Sequence, residues 1–316
     1  MLYLKNTPID QIISISEMIE AIEEALKAMA IGRGFDLPRR RIHHPNRMIF
    51  GLLPGSVNGA MGAYLQTDLD RRIHHESVIL YSAETGEPLI FFQDCSINQL
   101  RTGAAGAIGA KYLARPDAHR LTVFGSAVHA QSQLKAACAV RTLTKVKVFS
   151  PSEAHRIACA ETMTRELQID VQAADNAQEA LENADIVITA TDSRTPVFDG
   201  NWLKEGTHIT SVANGDKVRT RQEIDELTIS KSDPIFVTSK ETVCANESDI
   251  FRAVEANAIS WARVHEMSKL LWGNVPGRTN NNQITLYKLQ GIGIMDVAVG
   301  LRAYQRLKDS KLVQRL

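Results

Sequence analysis

Several features that often reveal a protein's role are scarce or missing in this chain. Its 316 residues include four cysteines, at positions 95, 138, 159 and 244, and none forms a CxxC pair. Basic and acidic residues balance at 36 each, which argues against a dedicated nucleic-acid or membrane-surface binder. No apolar run reaches the ~20 residues of a membrane span, and the first residues do not resemble a signal peptide. We therefore expect a reduced, cytoplasmic protein with no membrane or nucleic-acid partner.

Length and hydrophobic patterning predict two domains. The chain is about twice the commonest domain size. Apolar residues recur at helical spacing within the first 30 residues, and short apolar runs broken by Pro54–Gly55 and Asn58–Gly59 indicate an antiparallel sheet over 40–95. An Ala-rich helix is predicted over 97–114.

From residue 116 onward, short apolar runs alternate with helical segments, which is typical of a parallel sheet with crossover helices. The expected fold class is therefore α/β. A Rossmann-type, doubly wound domain over 116–290 accompanies an α+β domain over 1–115, and an apolar helical tail, 291–316, packs back on the latter.

A glycine-containing turn follows the first strand of this α/β region. Gly125, Ser126, Ala127, Val128 and His129 stand between that strand and a helix, where a dinucleotide pyrophosphate binds. Only the first glycine of the usual motif is present, since Ala127 and Ala130 replace the others. We expect these residues to bind NAD(P).

The next strand ends without a carboxylate, the usual partner of the adenine ribose hydroxyls of NAD. Ser150 and Ser152 stand there instead, and Arg156 follows. All three side chains can donate hydrogen bonds to a 2′-phosphate, so the cofactor prediction leans towards NADP. Ser152 also suits a helix N-cap, and both roles are compatible.

Several longer strings occur in a characteristic order. They include TGEP at 85–88, RTGAAGAIGAKYLA at 101–114, ADIVITAT at 184–191, and TLYK at 285–288 followed by Asp296. Together they resemble the ornithine cyclodeaminase/mu-crystallin family along nearly the whole chain. The resemblance implies a substrate-binding and dimerisation domain, a Rossmann domain, and NAD(P)-dependent chemistry on amino acids or cyclic imines. It also implies a homodimer.

The same resemblance assigns roles to individual residues. Arg101 matches the arginine that holds the substrate carboxylate, and one arginine of Arg39–Arg41, with Arg40 or Arg41 favoured, matches a second carboxylate contact. Thr102 is expected near the cofactor phosphate and Thr191 near the nicotinamide. Asp216 resembles the acid of the deaminating members, but a shift of one position leaves Lys217 as the alternative.

One departure from the family pattern affects the substrate. Many members carry a lysine where this chain has Tyr64, which can act as an acid but brings no positive charge. We therefore expect an oxidoreductase that transfers hydride at the α-carbon of an amino or imino acid. Two alternatives stay open: an ornithine or lysine cyclodeaminase that recycles NAD, and a non-catalytic NADP(H)-dependent binding protein.

No metal site is expected. The adjacent pairs His43–His44 and His74–His75 lie in predicted strands, where neighbouring side chains point to opposite faces and cannot easily chelate one ion. The basic residues around Arg39–Arg41 have no interleaved aromatic face, which argues further against a nucleic-acid site.

Overall fold

The structure is a computed structural model that describes residues 1–69, 73–213, 215, 218, 220–310 and 314–315. The strands of the described chain are, in order, β1 (Leu2–Lys5), β2 (Phe35–Asp36), β3 (Arg40–His43), β4 (Ile49–Val57), β5 (Ala60–Leu69), β6 (Ile73–Ser82), β7 (Pro88–Gln93), β8 (Arg120–Phe124), β9 (Lys145–Phe149), β10 (Val171–Ala173), β11 (Ile186–Thr189), β12 (His208–Ser211), β13 (Ser232–Val237), β14 (Val264–Glu266), β15 (Ile284–Lys288) and β16 (Gln314–Arg315).

The α-helices of the same residues are α1 (Ile15–Ala30), α2 (Ile97–Leu113), α3 (Val128–Val140), α4 (Glu153–Leu167), α5 (Ala177–Leu181), α6 (Glu226–Lys231), α7 (Lys240–Ala245), α8 (Asp249–Glu255), α9 (Met267–Leu271) and α10 (Gly293–Leu307). Short 3₁₀ helices span Ile9–Gln11, Gly200–Trp202 and Trp261–Arg263. The helices predicted near the N-terminus and over 97–114 are confirmed as α1 and α2.

The chain divides into two compact units. The first contains Met1–Arg101 and Gly291–Leu316, and the second contains Thr102–Gln290. This division falls inside α2, whereas the sequence-based boundary of 115 lies just beyond the end of that helix. A helix that begins in one unit and continues into the other gives no break in composition from which to read such a boundary.

The first unit is built on a mixed sheet with the strand order β16-β1-β7-β6-β5-β4-β2, and β3 also pairs with β4. Strands β3 to β7 pair antiparallel, as the turn signals predict. Only β1 and β7 run parallel among the described pairs of this sheet. Side chains alternate between the two faces, and one face carries the fully buried Leu53, Leu80 and Ile90.

Two helices stabilise this unit. Helix α1 begins with a capping box, in which Ser14 Oγ accepts from the Glu17 N–H at 3.2 Å and Glu17 Oε2 accepts from the Ser14 N–H at 2.9 Å. Helix α10 approaches β4 very closely, because a Cβ at Gly293 would lie 2.3 Å from the Pro54 carbonyl oxygen. Glycine is therefore required at the start of α10, and the close approach fixes the position of Asp296 one turn later.

The second unit is a parallel sheet with the strand order β10-β9-β8-β11-β12-β15-β13-β14. The chain runs outward from β8 to β10 and then returns to the other side of β8 as β11, so the order reverses between β8 and β11. Alternate residues of β11 enter two different cores, Ile186 and Ile188 in one and Val187 in the other. Both sheet faces are therefore covered, as a doubly wound fold requires.

Within the described residues, no helix has the length and apolar character needed to cross a membrane.

Candidate active site

The first unit contains a group of charged and polar side chains that are removed from solvent. Arg101 Nε donates to Asp296 Oδ1 at 2.8 Å, and the two side chains are 1% and 0% exposed. Tyr64 on β5 and Glu76 on β6 are also buried. Each of these residues, and Arg39 before β3, acts electrostatically on at least two of the others. We call Arg39, Tyr64, Glu76, Arg101 and Asp296 the charged cluster.

Four buried atoms of this cluster have no hydrogen-bond partner among the described residues. Two are donors, Arg39 Nε and Arg101 Nη2, and two are acceptors, Glu76 Oε1 and Asp296 Oδ2. An unpaired buried polar group costs about 1–3 kcal/mol, and more when it is charged. Such a concentration at one place indicates a site that a polar ligand completes, with both acceptor and donor groups.

The sheet register explains how two members of the cluster come together. Gln66 pairs with Glu76 and Tyr64 pairs with Val78, so the side chains of all four lie on one face of the sheet. The Tyr64 hydroxyl donates to Gln66 Oε1 at 3.1 Å. Burial raises the pKa of Tyr64 well above its usual value, and the nearby Glu76 and Asp296 add to the shift. Tyr64 is therefore a neutral hydrogen-bonding group and a weaker acid than the sequence alone suggests.

Arg101 depends on the backbone around it. A Cβ at Gly291 would lie 2.6 Å from Arg101 Nη1, so the guanidinium lies in the space that a side chain at position 291 would occupy. Burial raises the pKa of Asp296, and the positive charge of Arg101 opposes that rise. Asp296 therefore orients Arg101 through Nε and leaves the outer edge of the guanidinium for another acceptor.

Among the three consecutive arginines, the structure places Arg39 in the cluster. The sequence favoured Arg40 or Arg41. Arg40 is exposed on β3, whereas Arg39 and Arg41 are both half-buried, and Arg41 acts electrostatically on Arg39. Burial, together with the charges of Arg41 and Arg101, lowers the pKa of Arg39 to about 9. Arg39 remains a cation at neutral pH. The choice among the three arginines depends on strand register, which alternation within three identical residues cannot define.

Glu76 was not identified as a site residue from the sequence. Burial raises its pKa to about 7, and Asp296 adds to the rise, whereas Arg101 and the N–H groups of Ile97 and Asn98 oppose it. Its neighbours on the inner face, Val78 and Leu80, are buried. That alternation was the available signal, because it places position 76 on the same inward face.

The second unit carries the glycine turn at the point where the strand order reverses. Gly125 follows β8 with φ of +117°, and a Cβ there would lie 2.4 Å from the Ala190 carbonyl oxygen. Helix α3 then begins at Val128 with Ala127 as its N-cap, and the methyl side chain of Ala127 accepts no hydrogen bond. Ligands of open α/β sheets bind at such a point. The turn therefore fits a dinucleotide phosphate at a helix N-terminus.

The end of β9 is held by hydrogen bonds among the predicted cofactor residues. Ser126 Oγ and Ser150 Oγ are 3.0 Å apart, and Ser150 Oγ donates to the Ser152 carbonyl. Arg156 Nη1 donates to the Ser150 carbonyl at 3.3 Å, and its guanidinium lies 5.8 Å from the Phe149 ring centre. Three predicted residues therefore meet at one strand end, with an arginine beside them. Ser152 is also the N-cap of α4, as expected.

Thr191 follows β11 and is held by Glu223. Both the N–H and Oγ1 of Thr191 donate to Glu223 Oε1, while Thr189, Ser211 and the N–H groups of 212 and 213 donate to Glu223 Oε2. Glu223 is fully buried and ties the ends of β11 and β12 together. Sequence reasoning did not give it this role, which is to shape the strand ends.

Thr102 and His129 each accept a hydrogen bond through the backbone carbonyl. Thr102 is buried, and its carbonyl accepts from Gln133 Nε2 at 2.7 Å. His129 lies in the first turn of α3, and its carbonyl accepts from Ser132 Oγ. Asp216 and Lys217 lie outside the described residues.

The comparisons with known proteins identify the family of this chain. The model of the ornithine cyclodeaminase/mu-crystallin family matches residues 2–311. The chain belongs to this family. It is 27% identical to a Δ(1)-pyrroline-2-carboxylate reductase of Bacillus cereus, over 97% of this chain and 96% of that one. The resemblance drawn from the sequence strings is confirmed.

Solved structures of family relatives extend the likeness to the fold. The Δ(1)-pyrroline-2-carboxylate reductase of Thermococcus litoralis, solved with NADH and L-proline, superposes with a TM-score of 0.93 at 31% identity over all of both chains. An archaeal alanine dehydrogenase dimer with bound NAD gives 0.92 at 28% identity, over 100% of this chain and 98% of that one. The predicted fold class is therefore confirmed.

The burial of the Arg101–Asp296 pair predicts a large asymmetry between single and double substitutions. Arg101→Met leaves the buried Asp296 carboxyl without its partner, so we expect the free energy of unfolding to fall by about 3–5 kcal/mol at pH 7. The loss should shrink at pH 5, because protonated Asp296 needs no cation. The double variant Arg101→Met/Asp296→Leu should recover most of it, as urea denaturation followed by circular dichroism would show.

Arg302→Ala is the matched control. Arg302 lies on α10, as Asp296 does, and its ion pair with Glu24 of α1 is more exposed. The substitution should change stability by less than about 1 kcal/mol. An Arg101→Met variant as stable as this control would contradict the structural role assigned to the pair.

Proposed function

We propose that this protein is an NAD(P)-dependent oxidoreductase that interconverts an α-imino acid and the corresponding α-amino acid. The observation that carries the proposal is the set of two unpaired donors and two unpaired acceptors in the charged cluster. An α-amino acid presents a carboxylate to the donors and N–H groups to the acceptors. The relatives named as reductases and dehydrogenases act on substrates of this type.

The arginines have separable tasks in this reaction. Arg101, oriented by Asp296, presents Nη2 to one carboxylate oxygen, and Arg39 presents Nε to the carboxylate as well. Two guanidinium groups neutralise the substrate anion and fix its rotation. Tyr64 adds a neutral hydroxyl where many family members carry a lysine, which favours imine reduction over ornithine cyclodeamination.

The second unit supplies the residues that would hold the cofactor. The Gly125 turn and the N-terminus of α3 suit the pyrophosphate, and Thr191 at the end of β11 suits the nicotinamide side. When bound, the nicotinamide gives or takes a hydride at the substrate α-carbon. Asp216, or Lys217 next to it, is the acid/base that the family resemblance implies.

NADP(H) is the preferred cofactor in this proposal. The described residues at the end of β9 place Ser150, Ser152 and Arg156 together, and no carboxylate follows the strand directly. A carboxylate would repel a 2′-phosphate, whereas hydroxyls and a guanidinium bind it.

Turnover with a panel of imino acids tests the proposal. Purified protein should oxidise NADPH in the presence of a cyclic α-imino acid such as Δ1-pyrroline-2-carboxylate, and kcat/KM should be at least as high with NADPH as with NADH. Arg156→Ala should lower kcat/KM for NADPH more than for NADH. The loss of nicotinamide absorbance reports each rate.

Three outcomes of this panel would contradict the proposal. Tight NADPH binding without turnover of cyclic imines, or of α-keto acids supplied with amines, would indicate the non-catalytic binding protein. Release of ammonia from L-ornithine supplied with NAD(P)⁺, without net reduction of the cofactor, would indicate a cyclodeaminase. A tenfold preference for NADH, equivalent to about 1.4 kcal/mol, would assign ribose recognition to other residues.

We also propose that the protein is a homodimer formed through the first unit. The sheet face that alternates with the buried one carries apolar side chains in solvent, among them Phe50 and Met61, which are 41% and 40% exposed. Ile42, opposite Phe50 in the register, is 65% exposed. Exposed apolar side chains on one sheet face are typical of a surface that pairs.

Light scattering tests this assembly. The wild-type protein should give about twice the monomer mass of 34.9 kDa, and Phe50→Asp should shift the mass toward the monomer because it places a charge in the proposed interface. Ile157→Asp is the matched control, since Ile157 is 41% exposed on α4 of the second unit. A monomeric wild type, or loss of the dimer in the control alone, would contradict the proposed interface.

A further inference from the structure

Glu76 is a buried titratable group of the charged cluster to which the proposed function assigns no chemical step. It is 9% exposed, and the next two residues on the inner face of β6, Val78 and Leu80, are buried and apolar. Nothing about strand packing requires a carboxyl there. The cost of burying it is offset only in part, because Oε1 has no hydrogen bond among the described residues.

One part of the Glu76 carboxyl has a structural task. The N–H groups of Ile97 and Asn98, at the start of α2, hydrogen-bond to it. These bonds anchor the side chain and satisfy two of the open donors of the helix N-terminus. The anchored carboxyl keeps one oxygen, Oε1, for a second partner.

The nature of that partner follows from the other unpaired atoms of the charged cluster. Arg39 Nε and Arg101 Nη2 are donors and suit the substrate carboxylate, whereas Glu76 Oε1 and Asp296 Oδ2 are acceptors and suit an N–H group. Asp296 is already bound to Arg101 at 2.8 Å, and the positive charge of Arg101 favours its anionic form. Glu76 has no described cation at bonding distance, so it is the carboxyl of the pair that can exchange a proton.

We propose that Glu76 contacts the substrate nitrogen and delivers the proton that imine reduction requires. This assignment rests on the proposed function. In the reductive direction the α-carbon of a neutral imine receives a hydride from the reduced nicotinamide dinucleotide, which is thereby oxidised. The C=N electron pair moves to nitrogen, and nitrogen takes the proton of the Glu76 carboxyl. The products are the amine and the Glu76 carboxylate, which regains a proton from solvent.

The charges around Glu76 support this role. With a pKa raised to about 7, the carboxyl is substantially protonated at neutral pH and can still give its proton away. Tyr64 is a weaker candidate, because its hydroxyl donates to Gln66 and its pKa is raised well above 10. The titratable groups that act on Glu76, or that it acts on, belong to four other parts of the fold: Tyr64, Asp94, Cys95, Arg101 and Asp296.

The direction of the pH dependence follows from this chemistry. Only the protonated form of Glu76 can supply the proton, so imine reduction should proceed below pH 7 and decline as the pH rises through about 7. The reverse reaction, amine oxidation, needs the carboxylate and should rise over the same range. A residue that only supports the fold would not produce opposite trends in the two directions.

The test uses the full-length protein with Δ1-pyrroline-2-carboxylate and NADPH in one direction and L-proline and NADP⁺ in the other. Glu76→Gln keeps an oxygen that accepts from the N–H groups of Ile97 and Asn98 but holds no exchangeable carboxyl proton. We expect kcat/KM for reduction at pH 6 to fall by ~10²-fold or more. In the plot of kcat/KM against pH, the change near pH 7 should vanish in both directions. A change caused by ionisation of the imine nitrogen should remain.

Two further variants complete the design. Glu76→Asp restores a carboxyl on a shorter side chain and should recover part of the rate together with the change near pH 7. Glu23→Gln changes another buried glutamate of the first unit, on α1. It should leave the rate and its pH dependence unchanged. Thermal unfolding followed by circular dichroism checks that each variant is folded.

The possible results separate this assignment from the proposed function. If the wild type reduces the imine and Glu76→Gln keeps its rate and the change near pH 7, the Glu76 assignment is overturned and the function stands. The same holds if Asp216→Asn, and not Glu76→Gln, removes that change. A wild type that neither binds nor converts the imine or L-proline would overturn both.

Discussion

The ion pair between Arg101 and Asp296 connects residues 195 positions apart and sets the character of the first unit's site. Burying two opposite charges is unfavourable unless their remaining hydrogen bonds are satisfied, and here each partner keeps one unpaired atom. The pair is maintained because Gly291 and Gly293 let the chain approach closely at the start of α10. The unpaired donors and acceptors therefore lie at one place, where a zwitterionic ligand can form the missing hydrogen bonds.

The second unit meets a different constraint, which is to keep strand ends open and rigid for a cofactor. Gly125 adopts a backbone conformation that other residues rarely reach, and any side chain there would collide with the Ala190 carbonyl. Glu223 fixes the ends of β11 and β12 through buried hydrogen bonds. Precise strand ends matter because hydride transfer depends on the position of the reactive carbon.

Repeating patterns of apolar and turn residues in the sequence predicted much of the fold. Alternation and turn residues gave the antiparallel strands of the first unit, and strand–helix alternation gave the parallel sheet of the second. Individual site residues were harder, since they depend on register and on contacts between distant segments. The sequence could not choose among Arg39, Arg40 and Arg41, because three consecutive arginines carry no register information. Arg101 was identified through the family resemblance, whereas its partner Asp296 had no assigned role until the chain was folded. Glu76 occupies an inward position that alternation could have revealed.

The central claim is that the first unit recognises both charges of an α-amino acid at once. Calorimetric titration of the protein, with NADP⁺ present, can compare L-proline with cyclopentanecarboxylate and pyrrolidine, which share its ring but each lack one charged group. The account predicts that L-proline binds at least tenfold more tightly than either analogue, a difference of about 1.4 kcal/mol or more. Equal affinity for L-proline and cyclopentanecarboxylate would contradict it, because the acceptors Glu76 and Asp296 would then contribute nothing to recognition.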